Sequence, residues 1–225
     1  MARRTKEDAV ATRNGLLDAA EQVFLEQGVS RASLAAIAER AGATRGAVYW
    51  HFKDKLDLFN AMIDRVTLPL EQVVFGDGAG QPGGAPLPRI CRVMYVLLHG
   101  LAHDEHLRRV FTIMMHRVEF VGEFVALQAR HTASMDECSG KLALDMEAAA
   151  AQHGVALRYS SQLLARGLSS LLDGLMHSWL IGGQNFDLLQ DGFAAIQVYL
   201  MGAGLPQEAV HAAFLAVASE RAAEG

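Results

Sequence analysis

The sequence predicts an all-α fold in two parts, a small N-terminal helical domain and a larger C-terminal one. Three observations carry that prediction. Apolar residues recur at three- and four-residue intervals through most of the 225 residues, with no clear period-2 strand or hairpin signal. Capping residues and glycines punctuate the apolar runs. Charge is split: residues 1–55 hold nine Lys/Arg against seven Asp/Glu, residues 56–225 hold eleven against eighteen, and the net is −5. A basic head on an acidic body assigns any contact with phosphate to the head.

Each element can be justified in order. Thr5 is placed to cap a first helix, with Asp8 three residues on. Leu16, Ala19, Ala20, Val23, Phe24 and Gln27 then follow helical spacing to a stop at Gly28. Ser33 caps a short helix over 34–41, ended by Gly42, and Thr44 caps another over 45–51. Asp54 caps a longer helix to about Thr67, just before Leu68-Pro69. Residues 76–88 are rich in Gly and Pro and read as a flexible loop. Helices follow at about 88–103, 105–117, 121–153, 160–182, 187–201 and 206–220, separated by Gly154, Gly182-Gly183 and Gly202/Gly204-Pro206.

Composition sets limits. An apolar fraction of 51% supports a substantial core and excludes the disorder signature. Two cysteines, Cys91 and Cys138, cannot build a disulfide framework and read as small buried hydrophobes, a single regulatory disulfide being the alternative. Arg3-Arg4 is followed by Thr5-Lys6-Glu7-Asp8 where a signal peptide needs an apolar core, and no apolar run approaches a membrane span. The expectation is a soluble, cytoplasmic protein without a membrane partner.

Residues 34–51, LAAIAERAGATRGAVYWH, carry the functional signal. Leu34, Ile37, Ala38 and Ala41 form the inner face of one helix, Gly42 supplies the turn, and Ala47 and Val48 face inward on the next. By spacing and chemistry this is a helix-turn-helix. Arg45 lies at the first turn of the second helix, where it can read guanine O6 and N7 in bidentate fashion. Gly46 allows close backbone approach, and Thr44, Tyr49, His51, Lys53 and Lys55 suit phosphate contacts. With Ser33 and Trp50 these form the candidate DNA-contacting set. An ordinary helical hairpin is the competing reading, and Trp50 is the member it claims most easily, but it leaves the gathered basic residues unexplained.

The stretch AxRAGxTRGAVYWHFKDKxDLF resembles the DNA-binding domain of the TetR family. The opening MARRTKExAxxTR resembles its multidrug-efflux branch, typified by AcrR, TtgR, MtrR and SmeT, with shorter echoes at Arg108-Arg109, Glu119-Phe120, Asp173-Gly174-Leu175 with Trp179, and Asn185–Leu188. The resemblance implies a DNA-binding domain at 1–55, with its motif at about 33–52, and a helical ligand-binding and dimerisation domain at 56–225. It implies a homodimeric repressor that binds a palindromic double-stranded operator, controls an efflux operon and is released by a hydrophobic, drug-like effector. A regulator of a different operon, an activator, and a helical small-molecule carrier or enzyme are the alternatives.

The body adds its own evidence. Methionine is frequent there, and flexible thioethers suit promiscuous surfaces, although each Met also fills core gaps. Asp173 lies in an otherwise apolar helix and needs a partner: a cationic or hydrogen-bonding ligand, or an internal group such as Arg166 or a backbone amide. Phe111, Met114, Met115, His116, Phe120, Leu172, Asp173 and Met176 are the candidate ligand contacts. By resemblance, Gly167, Trp179, Phe193 and Val198 fall on the dimer-forming helices, with monomer core the competing reading for Trp179. Residues 78–83 match GxGxxG, but Pro82, Pro86 and Pro88 argue against a helix and no βαβ unit surrounds them. His99, His103 and His106 share helical spacing, yet a new helix starting at 104–105 would break the face, so solvated or capping roles are expected. No catalytic constellation, metal site or cofactor motif is found, and the expectation is a protein that is not an enzyme.

Overall fold

The computed structural model describes residues 6–75, 85–120 and 122–222. Among the described residues there are α-helices and no strand: α1 (Lys6–Gln27), α2 (Leu34–Arg40), α3 (Arg45–His51), α4 (Lys55–Phe75), α5 (Pro86–His103) and α6 (Glu105–His116). A 3₁₀ turn (Gly122–Phe124) leads into α7 (Val125–Gln152), followed by α8 (Ser161–Ile181), α9 (Leu188–Gly202) and α10 (Gln207–Ala222).

Three boundaries differ from expectation: α7 opens at Val125 behind a 3₁₀ turn where a helix from about 121 is expected, and the other two differ at prolines. α4 runs through Pro69 to Phe75 instead of ending near Thr67. Proline deletes one donor and crowds the carbonyl four residues back, but it does not oblige a helix to stop. α5 starts at Pro86 and includes Pro88, which the sequence reading had treated as helix-excluding. First-turn N–H groups have no intrahelical partner, so proline there sacrifices nothing. The Thr5 cap and residues 76–84 lie outside the described residues.

The chain divides into two compact units, the first formed by residues 1–69 and 105–128, the second by 70–104 and 129–225. In the first, α1 packs on α2 and α6, and α2 packs on α3. Leu16, Leu17, Ala20, Val23 and Phe24 of α1 are buried with Ile37, Val48, Phe52, Leu58, Phe59, Met62, Val110 and Ile113. The Phe24 and Phe59 rings meet edge to face at 5.7 Å, and Phe59 meets Phe124 at 5.8 Å. The Val29 N–H donates to the Arg117 carbonyl at 2.9 Å, which ties the end of α6 to the turn after α1. The sequence had assigned α6 to the body.

In the second unit α5 packs on α9 and α10, and α8 on α9. Two glycines set the spacing. A Cβ at Gly192 would lie 2.8 Å from a Leu98 methyl, and one at Gly167 would lie 2.2 Å from the Tyr199 hydroxyl. Arg89 joins α5 to α7 through a bidentate pair with Asp145. Cys91 is fully buried, and burial pushes its thiol up to about 12, which suppresses the reactive thiolate.

Candidate nucleic-acid interface

α3 is seven residues long, too short to hold itself in water, so its order comes from its ends and its one core contact. At the start, the Thr44 hydroxyl accepts the Ala47 N–H at 3.1 Å. In the middle, Val48 is fully buried. At the end, the Phe52 N–H donates to the Val48 carbonyl and the Phe52 ring is buried, with the Arg13 guanidinium 5.2 Å from its centroid. The preceding turn is equally determined. Gly42, at φ 62°, donates to Glu39 O, and Ala43 donates to Ala38 O at 2.9 Å, a Schellman closure that a residue with a Cβ would strain.

With one face anchored, the other is presented outward. Thr44, Arg45 and Gly46 are exposed at the N-terminal turn, and Tyr49 and Trp50 are 54% and 71% exposed. The indole meets the half-buried His51 edge to face at 4.4 Å, which steadies it without covering it. Large exposed aromatics are costly on a free surface, and a helix end carrying them beside an arginine is suited to a groove. A cleft of about 420 Å³ opens beside this turn, walled by Ala11, Thr12 and Gly15 of α1 and by residues 41–44 and Ala47.

The flanking residues separate. Lys53 is exposed; its backbone N–H donates to Asp57, whose own N–H caps on Asp54. Lys55 is not available in the same way. Its ammonium donates to the carbonyls of Val29, Ser30 and Ala32 at 2.9, 3.0 and 3.2 Å and lies 5.3 Å from the Phe124 centroid. Three donors on three carbonyls make it a clamp on the turn after α1, a correction to its expected phosphate role. Ser33 caps α2 by accepting the Ala36 N–H at 3.1 Å and remains exposed.

The remaining candidates fall in both units. Phe111, Met114, Met115 and His116 are half-buried on α6, and Phe120 is exposed beyond it, all in the first unit. Leu172 and Met176 are buried on α8 in the second unit. Asp173, between them, is half-buried; desolvation pushes its carboxyl above the usual range, and His131 of α7 pulls it back. Of the partners expected for Asp173, a ligand, Arg166 or a backbone amide, none is the one felt here; His131 supplies the opposing charge. Gly167 faces Tyr199, Trp179 is buried with its indole N–H on the Phe186 carbonyl, and Phe193 stacks on Tyr95 and meets Phe214 at a tilt, all within one chain. Val198 is 66% exposed, as are Ile181 at 70% and Leu163 at 54% on neighbouring α8, two residues the sequence reading passed over. His99 and His103 stack at 4.2 Å on α5, and His103 is exposed with its Nδ1 3.0 Å from the His99 carbonyl in the last turn, as a solvated or capping histidine would be; His106 differs and turns to Glu21 of α1.

A capped, outward-facing second helix on a turn this tightly closed defines a helix-turn-helix DNA-binding regulator, not an enzyme. The chain belongs to the TetR family. Residues 16–62 match the model of bacterial regulatory proteins of the tetR family, and residues 85–202 match the C-terminal region of MAATS-type transcriptional repressors. The transcriptional repressor BepR of Brucella suis is 35% identical over 204 residues, 91% of this chain and 97% of the relative. Among solved structures, NalD, the secondary repressor of the MexAB-OprM multidrug efflux pump of Pseudomonas aeruginosa, is 35% identical with a TM-score of 0.76, covering 88% of this chain and 98% of that one. The SmeT–triclosan complex is 33% identical with a TM-score of 0.73, covering 85% and 91%. These homologues are repressors, several of them of multidrug efflux pumps. TetR-family repressors bind DNA operators, typically as dimers, and answer to small-molecule effectors. Among the described residues no helix is long and apolar enough to cross a membrane.

Proposed function

We propose that this protein is a cytoplasmic, homodimeric repressor of a multidrug efflux operon, released from a palindromic operator by hydrophobic, drug-like compounds. The observation that carries the reading is the outward face of α3, where Arg45, Tyr49 and Trp50 stand clear of a core anchored by Val48. Arg45 reads a guanine edge, Thr44, Tyr49, His51 and Lys53 engage phosphates, and the half-site centres lie about one helical turn, ~34–36 Å, or slightly more apart. Likeness to NalD and SmeT over more than four-fifths of the chain supports the efflux assignment.

In the same reading the exposed apolar residues Leu163, Ile181 and Val198 of α8 and α9 meet a second copy. Asp173 offers a hydrogen bond or a counter-charge to an effector, which its desolvated position favours. The effector acts by binding the released form more tightly than the operator-bound form, since a ligand shifts an equilibrium only by its differential affinity.

A gel shift on the DNA flanking the gene, with and without triclosan and a panel of lipophilic dyes, tests the proposal. The expected result is a shifted band that compound addition reverses. No shift on any neighbouring promoter counts against local repression, and a shift that no compound reverses removes the ligand-release step.

A further inference from the structure

The core-facing side of α1 contains one residue that does not belong there on hydrophobic grounds. Glu21 shares a face with Leu17, Ala20 and Phe24, and its side chain is only 2% exposed. A buried carboxylate must be compensated, and three cationic or ionisable groups converge on it from distant parts of the chain. His106 Nδ1 lies 2.6 Å from Oε2, the Arg65 guanidinium 3.6 Å from Oε2, and the Arg109 guanidinium 3.6 Å from Oε1. His106 and Arg109 belong to α6, and Arg65 to α4.

The surroundings weaken the two arginines. Arg65 makes its short contact, 2.8 Å, to Asp18 on the exposed side of α1, and Arg109 makes its own to Glu105 on α6. From α2, Arg40 is directed at Gln22 and Glu26 instead. His106 is thus the partner nearest to Glu21. Desolvation outweighs the attraction of Arg109 and Arg65, with Asp18 adding repulsion, and the carboxyl is pushed up to about 7.

We propose that Glu21 and His106 form a proton-linked latch that fastens α6 to α1, so that the hold of α6 on α1 tightens as a proton is taken up. Lifting α6 away would return Glu21 to water and to its ordinary value of 4.5. The docked arrangement then binds a proton more tightly than the undocked one. Its proton-linked stabilisation is complete below about pH 4.5 and is lost as pH rises to about 7. Between pH 5.5 and 8 the docking constant falls by at most about 30-fold on this linkage. The latch does not depend on which operator or effector the protein takes, so its failure and that of the function proposed above are separable.

Amide hydrogen exchange across residues 105–116 of the full-length protein, corrected for the intrinsic pH dependence of exchange, tests the latch. In the native protein, protection of α6 is expected to fall between pH 5.5 and 8, and Glu21→Gln, which fixes the neutral form, is expected to abolish that dependence. A carboxyl ¹³C titration of the native protein, independent of any variant's folding, should place the Glu21 midpoint near 7. Protection that does not change with pH, the same dependence in Glu21→Gln, or a midpoint near 4.5 overturns the proposal.

Discussion

α2 and α3 are two helices of seven residues, built alike and used differently. Each is opened by a hydroxyl that accepts the N–H three residues on, at 3.1 Å in both, and each is anchored by branched apolar side chains in the same core, Ile37 in α2 and Val48 in α3. Their arginines part company. Arg40, in the last turn of α2, is fastened to Glu26 by two hydrogen bonds and to Gln22 by a third, so its donors serve the fold. Arg45, in the first turn of α3, is exposed and pairs with no carboxylate among the described residues. Local helix physics builds both elements equally well. What suits one to the reading role proposed above is the absence of a home for its polar face.

Four substitutions break or sharpen that comparison, in decreasing order of effect. Ile37→Ala removes a fully buried side chain and should lower stability by roughly 2–5 kcal/mol in urea denaturation, while leaving the operator affinity of the folded fraction nearly unchanged. Arg45→Ala should do the reverse, weakening operator binding by roughly 1–3 kcal/mol in an anisotropy titration with no shift in the thermal midpoint. An equal loss on unrelated DNA would move Arg45 from base to phosphate. The caps should be the least divisive: Ser33→Ala and Thr44→Ala each cost about 1 kcal/mol of stability by the same denaturation assay. A much larger cost at Thr44 alone would show that α3 leans on its cap more than on Val48.

The head was legible because its signals are local. A cap, a Gly at φ 62°, a buried Val and an outward Arg all fall within eleven residues, 38 to 48, and the sequence displays each one. Contacts across long separations were not legible. Nothing in a linear reading joins Lys55 to the carbonyls of residues 29–32, since a lysine after a helix-turn-helix reads equally well as a phosphate contact or a clamp. The placement of α6 with α1 involves residues far apart in the chain, among them 21 and 106, although one signal was present: a glutamate at a core position of the α1 stripe, with a histidine far downstream. The body is harder to read for a related reason. Apolar type alone does not separate core from interface at Trp179 and Phe193: the indole N–H is satisfied within the chain and the Phe193 ring meets Tyr95 and Phe214, while Phe193 stays half-buried.

The contact between Gly167 and Tyr199 has a bearing on how such a protein can change over evolutionary time. The Tyr199 hydroxyl donates to the Leu164 carbonyl at 2.8 Å and occupies the space a side chain at 167 would need, so it pins α9 against α8 from behind. The outer residues Leu163, Ile181 and Val198 therefore stand on two helices joined at this point. In the dimer proposed above, a mutation at 167 would part these two helices and alter self-association with every outer residue intact. On that proposal, related lineages would insulate their oligomers from one another by editing a half-buried glycine.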